Sequence, residues 1–293
     1  MGGSSRGPAL GGKIPAPFRW GFRHLRHALV GACCLSLLAL AGCSSETVGQ
    51  FKRLGLPVGA SDRAPHMLSL WIGTWIAAGI IGIGMWILIG WAAVRYKTRH
   101  NQMPRQNRYN LPMEIFYTIA PFIVIGVLFY YTILAQHAIQ KAVPKPDVTL
   151  DVVGQKWSWT FNYKSAGDPA VGQDVWNAGT INQNPDLYLP VGKTVHFNLS
   201  SPDVIHSFWI PAFYEKLDVV PGRHNNFYAT PTKEGVFAGK CAELCGTYHS
   251  AMLFKVHIVS EDEYHAYLKT LVAKGQTGEA KGPINAYPEG GPR

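Results

Sequence analysis

Residues 241–259 read Cys-Ala-Glu-Leu-Cys-Gly-Thr-Tyr-His-Ser-Ala-Met-Leu-Phe-Lys-Val-His-Ile-Val. The end of this stretch alternates: Met252, Phe254, Val256 and Ile258 share one face, Lys255 and His257 the other. A period of two describes a strand with one face buried and one wet. Upstream, β-branched and aromatic stretches recur at 148–153, 157–163, 187–189, 194–199 and 226–229, separated by Pro, Gly, Asn and Asp. Short strands punctuated by turn residues predict a small antiparallel sandwich or barrel of Greek-key type over 144–260. Downstream, Ser260 with Glu263 three residues later is a capping-box start, which predicts a short helix over 261–274. Residues 275–293, rich in Gly and Pro, read as a flexible tail.

Ahead of the β-rich region lie two apolar runs, 69–93 and 113–136. The first carries no charge, and at about 1.5 Å per residue it can cross a hydrocarbon core of roughly 30 Å. Trp71 and Trp75 near one end and Trp86 and Trp91 near the other suit the two interfaces. Between the runs, 94–112 holds five basic residues (Arg95, Lys97, Arg99, Arg105, Arg108) and no acid, so this loop is expected on the cytoplasmic side. Both ends of the hairpin then face outward. Residues 1–42 have a basic start, an apolar stretch and small residues near its end, the pattern of a secretory signal. Leu40-Ala41-Gly42-Cys43 resembles the lipobox of bacterial lipoproteins, which implies cleavage before Cys43, lipid attachment to it and an extracytoplasmic segment over 43–68. Signal and hairpin give the same topology: a multi-pass protein of a bacterial cell membrane with its β domain outside.

The formal net charge of +9 belongs to these targeting and topology segments. Residues 1–42 hold five Lys/Arg and no acid, whereas 144–260 holds nine Lys/Arg against ten Asp/Glu, a balance of −1. A nucleic-acid partner is therefore unsupported. The five cysteines form no single set: Cys33, Cys34 and Cys43 are N-terminal, and Cys241 and Cys245 lie far downstream. That distribution argues against a disulfide framework.

Within 241–252, two thiols, one imidazole and one thioether fall together just before an apolar strand. Soft sulfur ligands favour copper, and one Cys with two His and a weak Met holds a single electron-transfer copper. Here there are two cysteines, and two thiolates can bridge two ions. His249 can complete one ion, and the other calls for a histidine from a neighbouring loop. His206, in Ser201-Pro-Asp-Val-Ile-His-Ser-Phe, follows a predicted strand. The plain alternative is a Cys241–Cys245 disulfide, which an oxidising compartment permits, with His206 and Met252 as packing residues.

Taken together, Ser-Pro-Asp-Val-Ile-His-Ser-Phe and Cys-Ala-Glu-Leu-Cys-Gly-Thr-Tyr-His-Ser-Ala-Met resemble the binuclear copper-A site of the cytochrome c oxidase subunit II family. The resemblance runs from the lipobox to about residue 270. It implies a membrane-anchored protein with a two-helix transmembrane hairpin followed by a cupredoxin-like Greek-key sandwich or barrel. It implies Cys241 and Cys245 bridging both coppers, with His206 and Met252 completing one and His249 and the Glu243 carbonyl the other. It also implies a magnesium ion reached by the Glu243 side chain at the boundary with subunit I, and electron entry at Trp157. Glu114, at the head of the second apolar run, matches a glutamate at the mouth of a proton channel. The plain reading is a carboxylate favoured in a first helical turn. Asp218 with Pro221-Gly-Arg223 matches a segment lying on subunit I, and also reads as an ordinary turn.

The partners implied are subunits I and III and cytochrome c or a membrane-tethered cytochrome c domain. The family usually places acidic residues after the aromatic stretch 157–161. Thr160-Phe161-Asn162-Tyr163-Lys164 has none, which points to a tethered or less basic donor. The implied activity is that of a proton-pumping cytochrome c oxidase, with electrons passing from copper to haem in subunit I, where oxygen is reduced to water. A quinol-oxidase subunit II would lack the copper ligands. A thioredoxin-like copper chaperone disagrees with the β-rich pattern, and nitrous oxide reductase needs a propeller domain for which this length has no room.

Overall fold

The computed structural model describes residues 45–97, 106–164 and 171–280. Residues 53–293 form one compact unit, and of the preceding unit a helix, α1 (Ser45–Lys52), is described. The expected signal (1–42) and Cys43 lie outside the described residues, as do 98–105 of the basic loop and 281–293 of the tail.

Two long helices, α2 (Ala64–Arg95) and α3 (Leu111–Ile139), cover the apolar runs and are long and apolar enough to cross a membrane. Each extends beyond its run. Apolar side chains mark only the stretch suited to lipid, whereas backbone hydrogen bonding continues until a cap stops it. At the start of α3, Asn110 Oδ1 accepts from Met113 N at 3.4 Å, and Glu114 Oε1 accepts from Asn110 N at 2.9 Å. This reciprocal box gives Glu114 a local structural role.

Ten strands follow: β1 (Val148–Gln155), β2 (Ser158–Lys164), β3 (Val175–Ala178), β4 (Asp186–Pro190), β5 (Val195–Ser200), β6 (His206–Ile210), β7 (Glu215–Val219), β8 (Asn225–Ala229), β9 (Gly235–Cys241) and β10 (Leu253–Val259). Helix α4 (Glu261–Ala273) closes the unit, with the Ser260 side chain accepting from Glu263 N. One sheet runs β3-β2-β1-β5-β8, the other β4-β10-β9-β6-β7. The sandwich is mixed where an antiparallel one was expected, since β1 pairs with β5 and β4 with β10 in parallel. The chain crosses repeatedly from sheet to sheet, and a strand returning after such a crossover can enter in the same direction as its neighbour.

The core lies between the sheets. Trp159, Phe161, Phe197 and Val256 are fully buried, and the Phe254 ring stacks on Phe208 at 5.0 Å. Gly239 on β9 admits that ring: a Cβ there would lie 2.1 Å from it.

Strands β3, β6, β7 and β9 escaped the pattern reading. Strand β6 is covered on both faces and so does not alternate, while the charges of β7 and the glycines of β9 interrupt the apolar signal. Trp157 sits in the turn before β2, not on it. Residues 275–280, assigned to a flexible tail by composition, are pinned to the first sheet. Ala280 N donates to Asn162 Oδ1 at 2.9 Å, Asn162 Nδ2 donates back to Ala280 O, and Trp176 N donates to Gln276 O. Glycine content speaks of chain entropy, and here side-chain hydrogen bonds overcome it.

Candidate metal centre

Loops at one end of the sandwich gather the candidate ligands. His206 opens β6, Cys241 closes β9, Cys245 lies in the loop between, His249 begins a short 3-10 turn (His249–Ala251), and Met252 immediately precedes β10. Cys241 N donates to Met252 O at 3.0 Å, so the 241–252 loop is closed at its base by a strand-like bond. His206 and Met252 are fully buried, and both cysteines are 5% exposed.

The two Sγ atoms stand 3.9 Å apart and both cysteines are free. A disulfide needs about 2.04 Å, so the structure holds two thiols facing one another. His206 Nδ1 lies 3.9 Å from Cys241 Sγ, and His249 Nδ1 lies 3.5 Å from Cys245 Sγ. Met252 Sδ is 3.8 Å from Cys245 Sγ, and the Glu243 carbonyl oxygen is 3.3 Å from Cys241 Sγ. The donor atoms of His206, Cys241 and Cys245 all fall within 4.8 Å of one another, a grouping able to hold a metal ion. The six atoms named by resemblance thus converge on one small volume, with the Glu243 side chain exposed at its edge.

Asp203 prepares the site, and the sequence reading did not give it that part. Its Oδ1 pairs with His206 Nε2 at 2.9 Å, and its Oδ2 accepts from Lys156 N at 2.7 Å. Burial raises the Asp203 carboxyl, but bonds from His206, Lys156 and Val204 outweigh it and bring it down to about 2. The carboxylate fixes the imidazole with Nε2–H outward and leaves Nδ1 to face the sulfurs, the usual second support of a metal-binding histidine. An Asp three residues before a ligand His was the available signal.

Burial acts to raise Cys241, yet bonds to His206 and to the backbone at Glu243 and Ser207 bring it below the usual thiol range. Burial, reinforced by the charge on Cys241, pushes Cys245 up. Two thiolates side by side in a dry pocket repel one another, which a bound cation relieves.

Trp157 covers the loop. Its Nε1–H donates to the Cys245 carbonyl at 3.1 Å, and its ring meets that of Tyr248 edge-on at 5.1 Å. Trp159, two residues on, points into the core with its ring 6.2 Å from that of His206. The residues expected to bear on donor docking, Thr160 to Tyr163, are all buried. Glu114 belongs to the far end of the membrane hairpin and takes no part in this cluster.

A family model described as cytochrome c oxidase subunit II, periplasmic domain, matches residues 148–259. A probable cytochrome c oxidase subunit 2 from Streptomyces avermitilis is 42% identical, the match covering 87% of this chain and 90% of that one. A cytochrome c oxidase subunit 2 from Mycobacterium tuberculosis is 33% identical, over 89% of this chain and 85% of that one. Among solved structures, the periplasmic domain of subunit II of cytochrome oxidase from Bradyrhizobium japonicum is 29% identical, covering 45% of this chain and 99% of that one, with a TM-score of 0.40.

Proposed function

From the premise that the chain belongs to the cytochrome c oxidase subunit II family, we propose that its sandwich holds a binuclear copper-A centre and serves as the electron-entry point of a haem–copper oxidase. The observation that carries this reading is the pair of free sulfurs 3.9 Å apart with an imidazole nitrogen beside each. The donor set fits soft, thiolate-rich copper coordination. Cys241, Cys245, His206, His249, Met252 and the Glu243 carbonyl would hold the pair. Bound there, a copper pair would supply a one-electron relay.

The chain's own residues do the rest. The strands on which His206 and Cys241 sit hold those side chains in one geometry, which limits rearrangement between redox states. Met252 and the buried face of His206 exclude water. Trp157 links the outer surface to the Cys245 carbonyl and is the proposed route of entry from a cytochrome c, soluble or membrane-tethered. The Glu243 side chain is the proposed magnesium contact at the boundary with subunit I. Cys43 is the proposed lipid attachment, with the sandwich outside the cell membrane and subunits I and III as neighbours. Glu114 is proposed as the mouth of a proton path. A Glu114→Gln oxidase with normal turnover and proton uptake would remove that role.

The test is copper stoichiometry and spin resonance on the full chain in detergent after copper reconstitution. Two coppers per chain with a signal split by two equivalent nuclei support the reading. One copper or none, with a Cys241–Cys245 disulfide in its place, would leave a docking subunit without a copper relay.

A further inference from the structure

At the opposite end of the sandwich a single arginine joins three parts of the molecule. Arg63, just before α2, is 7% exposed. Its Nε donates to Tyr228 O on β8 at 3.2 Å and lies 3.4 Å from Asp62 Oδ2. Its Nη1 donates to Ala138 O in the last turn of α3, and its Nη2 to Lys141 O just beyond, at 3.3 Å. The final carbonyls of a helix lack partners of their own and carry the negative end of its dipole, so a guanidinium there is doubly favoured. A charge this buried is stable only with its donors satisfied, so the bonds are cooperative in holding the geometry.

The segment leading to Arg63 is laced into the sandwich. Ala60 N donates to Ala212 O at 2.7 Å, Ser61 Oγ to Phe213 O at 3.0 Å, and Asp62 N to Thr230 O at 3.0 Å. Asp62 Oδ1 accepts in return from Thr230 N at 2.8 Å. The turn Pro211–Phe213 directly continues β6, whose first residue is the candidate ligand His206. From His206 to Ile210 is four residues, about 13 Å at strand rise. One short strand, one turn and one strap therefore connect the candidate copper ligand to the guanidinium, and through it to α3.

We infer that Arg63 is a positioning residue. By tying the strap and β8 to the outer end of α3, it sets the height and tilt of the copper-bearing end over the membrane, and with them the rate at which electrons leave for subunit I. The inference rests on the copper reading above. Without the guanidinium, the strap keeps its own bonds to the sandwich, but the end of α3 loses its hydrogen bonds to Arg63 and keeps the Pro-containing linker 140–147. Transfer between sites on different subunits is sensitive to small misplacement, and even about 1 Å can cost roughly a hundredfold where geometry is demanding.

The test compares Arg63→Met and Arg63→Lys in the assembled oxidase. Three quantities are read: the copper signal, the rate from donor to copper, and the rate from copper to haem after photochemical injection of an electron. Arg63→Met should keep the first two and slow the third by about tenfold. Arg63→Lys, with one ammonium able to reach a carbonyl, should recover part of that loss. Should Arg63→Met fail to co-purify with subunit I, Arg63→Lys decides by the same readouts. An unchanged copper-to-haem rate, or equal slowing of both rates, overturns the inference. Absence of the copper pair from the unaltered protein would instead sink the copper reading, and this inference with it.

Discussion

The two ends of the sandwich are built on opposite principles. At the end proposed to hold copper, side chains do the work. Five of the six candidate donors fall within twelve consecutive residues, and the loop that bears them is closed by one backbone bond from Cys241 to Met252. At the membrane end, hydrogen bonds to backbone groups do it. The strap at 60–63 pairs main-chain groups with 212, 230 and 232, and Arg63 reaches one carbonyl on β8 and two at and just past the end of α3. A chemical site can therefore be compact in sequence, while its placement depends on groups as far apart as Ala60 and Thr232.

If the ends are independent, damage to one should spare the other. The largest expected effect is that of Cys245→Ser. Losing one of the two sulfurs proposed to hold copper should abolish the proposed copper pair and lower oxidase turnover by more than about a hundredfold, beyond the usual cost of losing an outer support. Circular dichroism should nonetheless show the sandwich folded. Unfolding of the variant would break the comparison.

Trp157→Phe comes next. It keeps an aromatic cover but loses the Nε1–H bond to the Cys245 carbonyl. Electron entry from cytochrome c should slow by about tenfold with both coppers retained, as stopped-flow reduction and metal analysis would register. Unchanged entry would move the docking route elsewhere, leaving Trp157 as a brace for the loop.

The smallest effect is expected at the membrane end. Glu215 on β7 lines a cleft of about 390 Å³ against α2 and α3, beside Leu70, Ala135 and Ile139. Burial raises its carboxyl to about 7, with Arg63 pulling the other way. The folded chain thus holds this proton more tightly than the unfolded one, so stability falls as pH rises from the ordinary carboxylate range to about 7. Glu215→Gln removes that loss. The variant should melt a few degrees higher at pH 8 and no differently near pH 4, on the order of 1–2 kcal/mol after allowing for partial exposure. Its copper signal should match the parent at both pH values. A melting gain that persisted at pH 4 would assign the effect to packing.

Much of the β domain was legible because its signals are local. The alternation in 252–258 follows from the pleat, and the soft donors of 241–252 advertise their chemistry by type and spacing. What escaped was whatever depends on a neighbour from elsewhere in the chain. Strand β6 hides its period because both faces are covered. The part of Asp203 emerged only when the fold set it against His206 and Lys156. Residues 275–280 looked like tail until Asn162 supplied both halves of an amide pair to Ala280.

Residue type and order alone therefore carry the family, the presence of two apolar helices ahead of a β domain, and which side chains could bind a soft metal. Periodicity, hydropathy and ligand type are properties of neighbouring residues. Packing of the sheets is what leaves the sulfurs 3.9 Å apart unbonded, lets Asp203 turn Nδ1 of His206 toward them, and fastens β8 to the end of α3 through Arg63. Even where two groups are near in sequence, as Asp203 and His206 are, partners distant in the chain help to fix them, Lys156 for Asp203 and Tyr228 for Arg63. Such bonds form only after the sheets have packed and water has been excluded, and no local pattern encodes them.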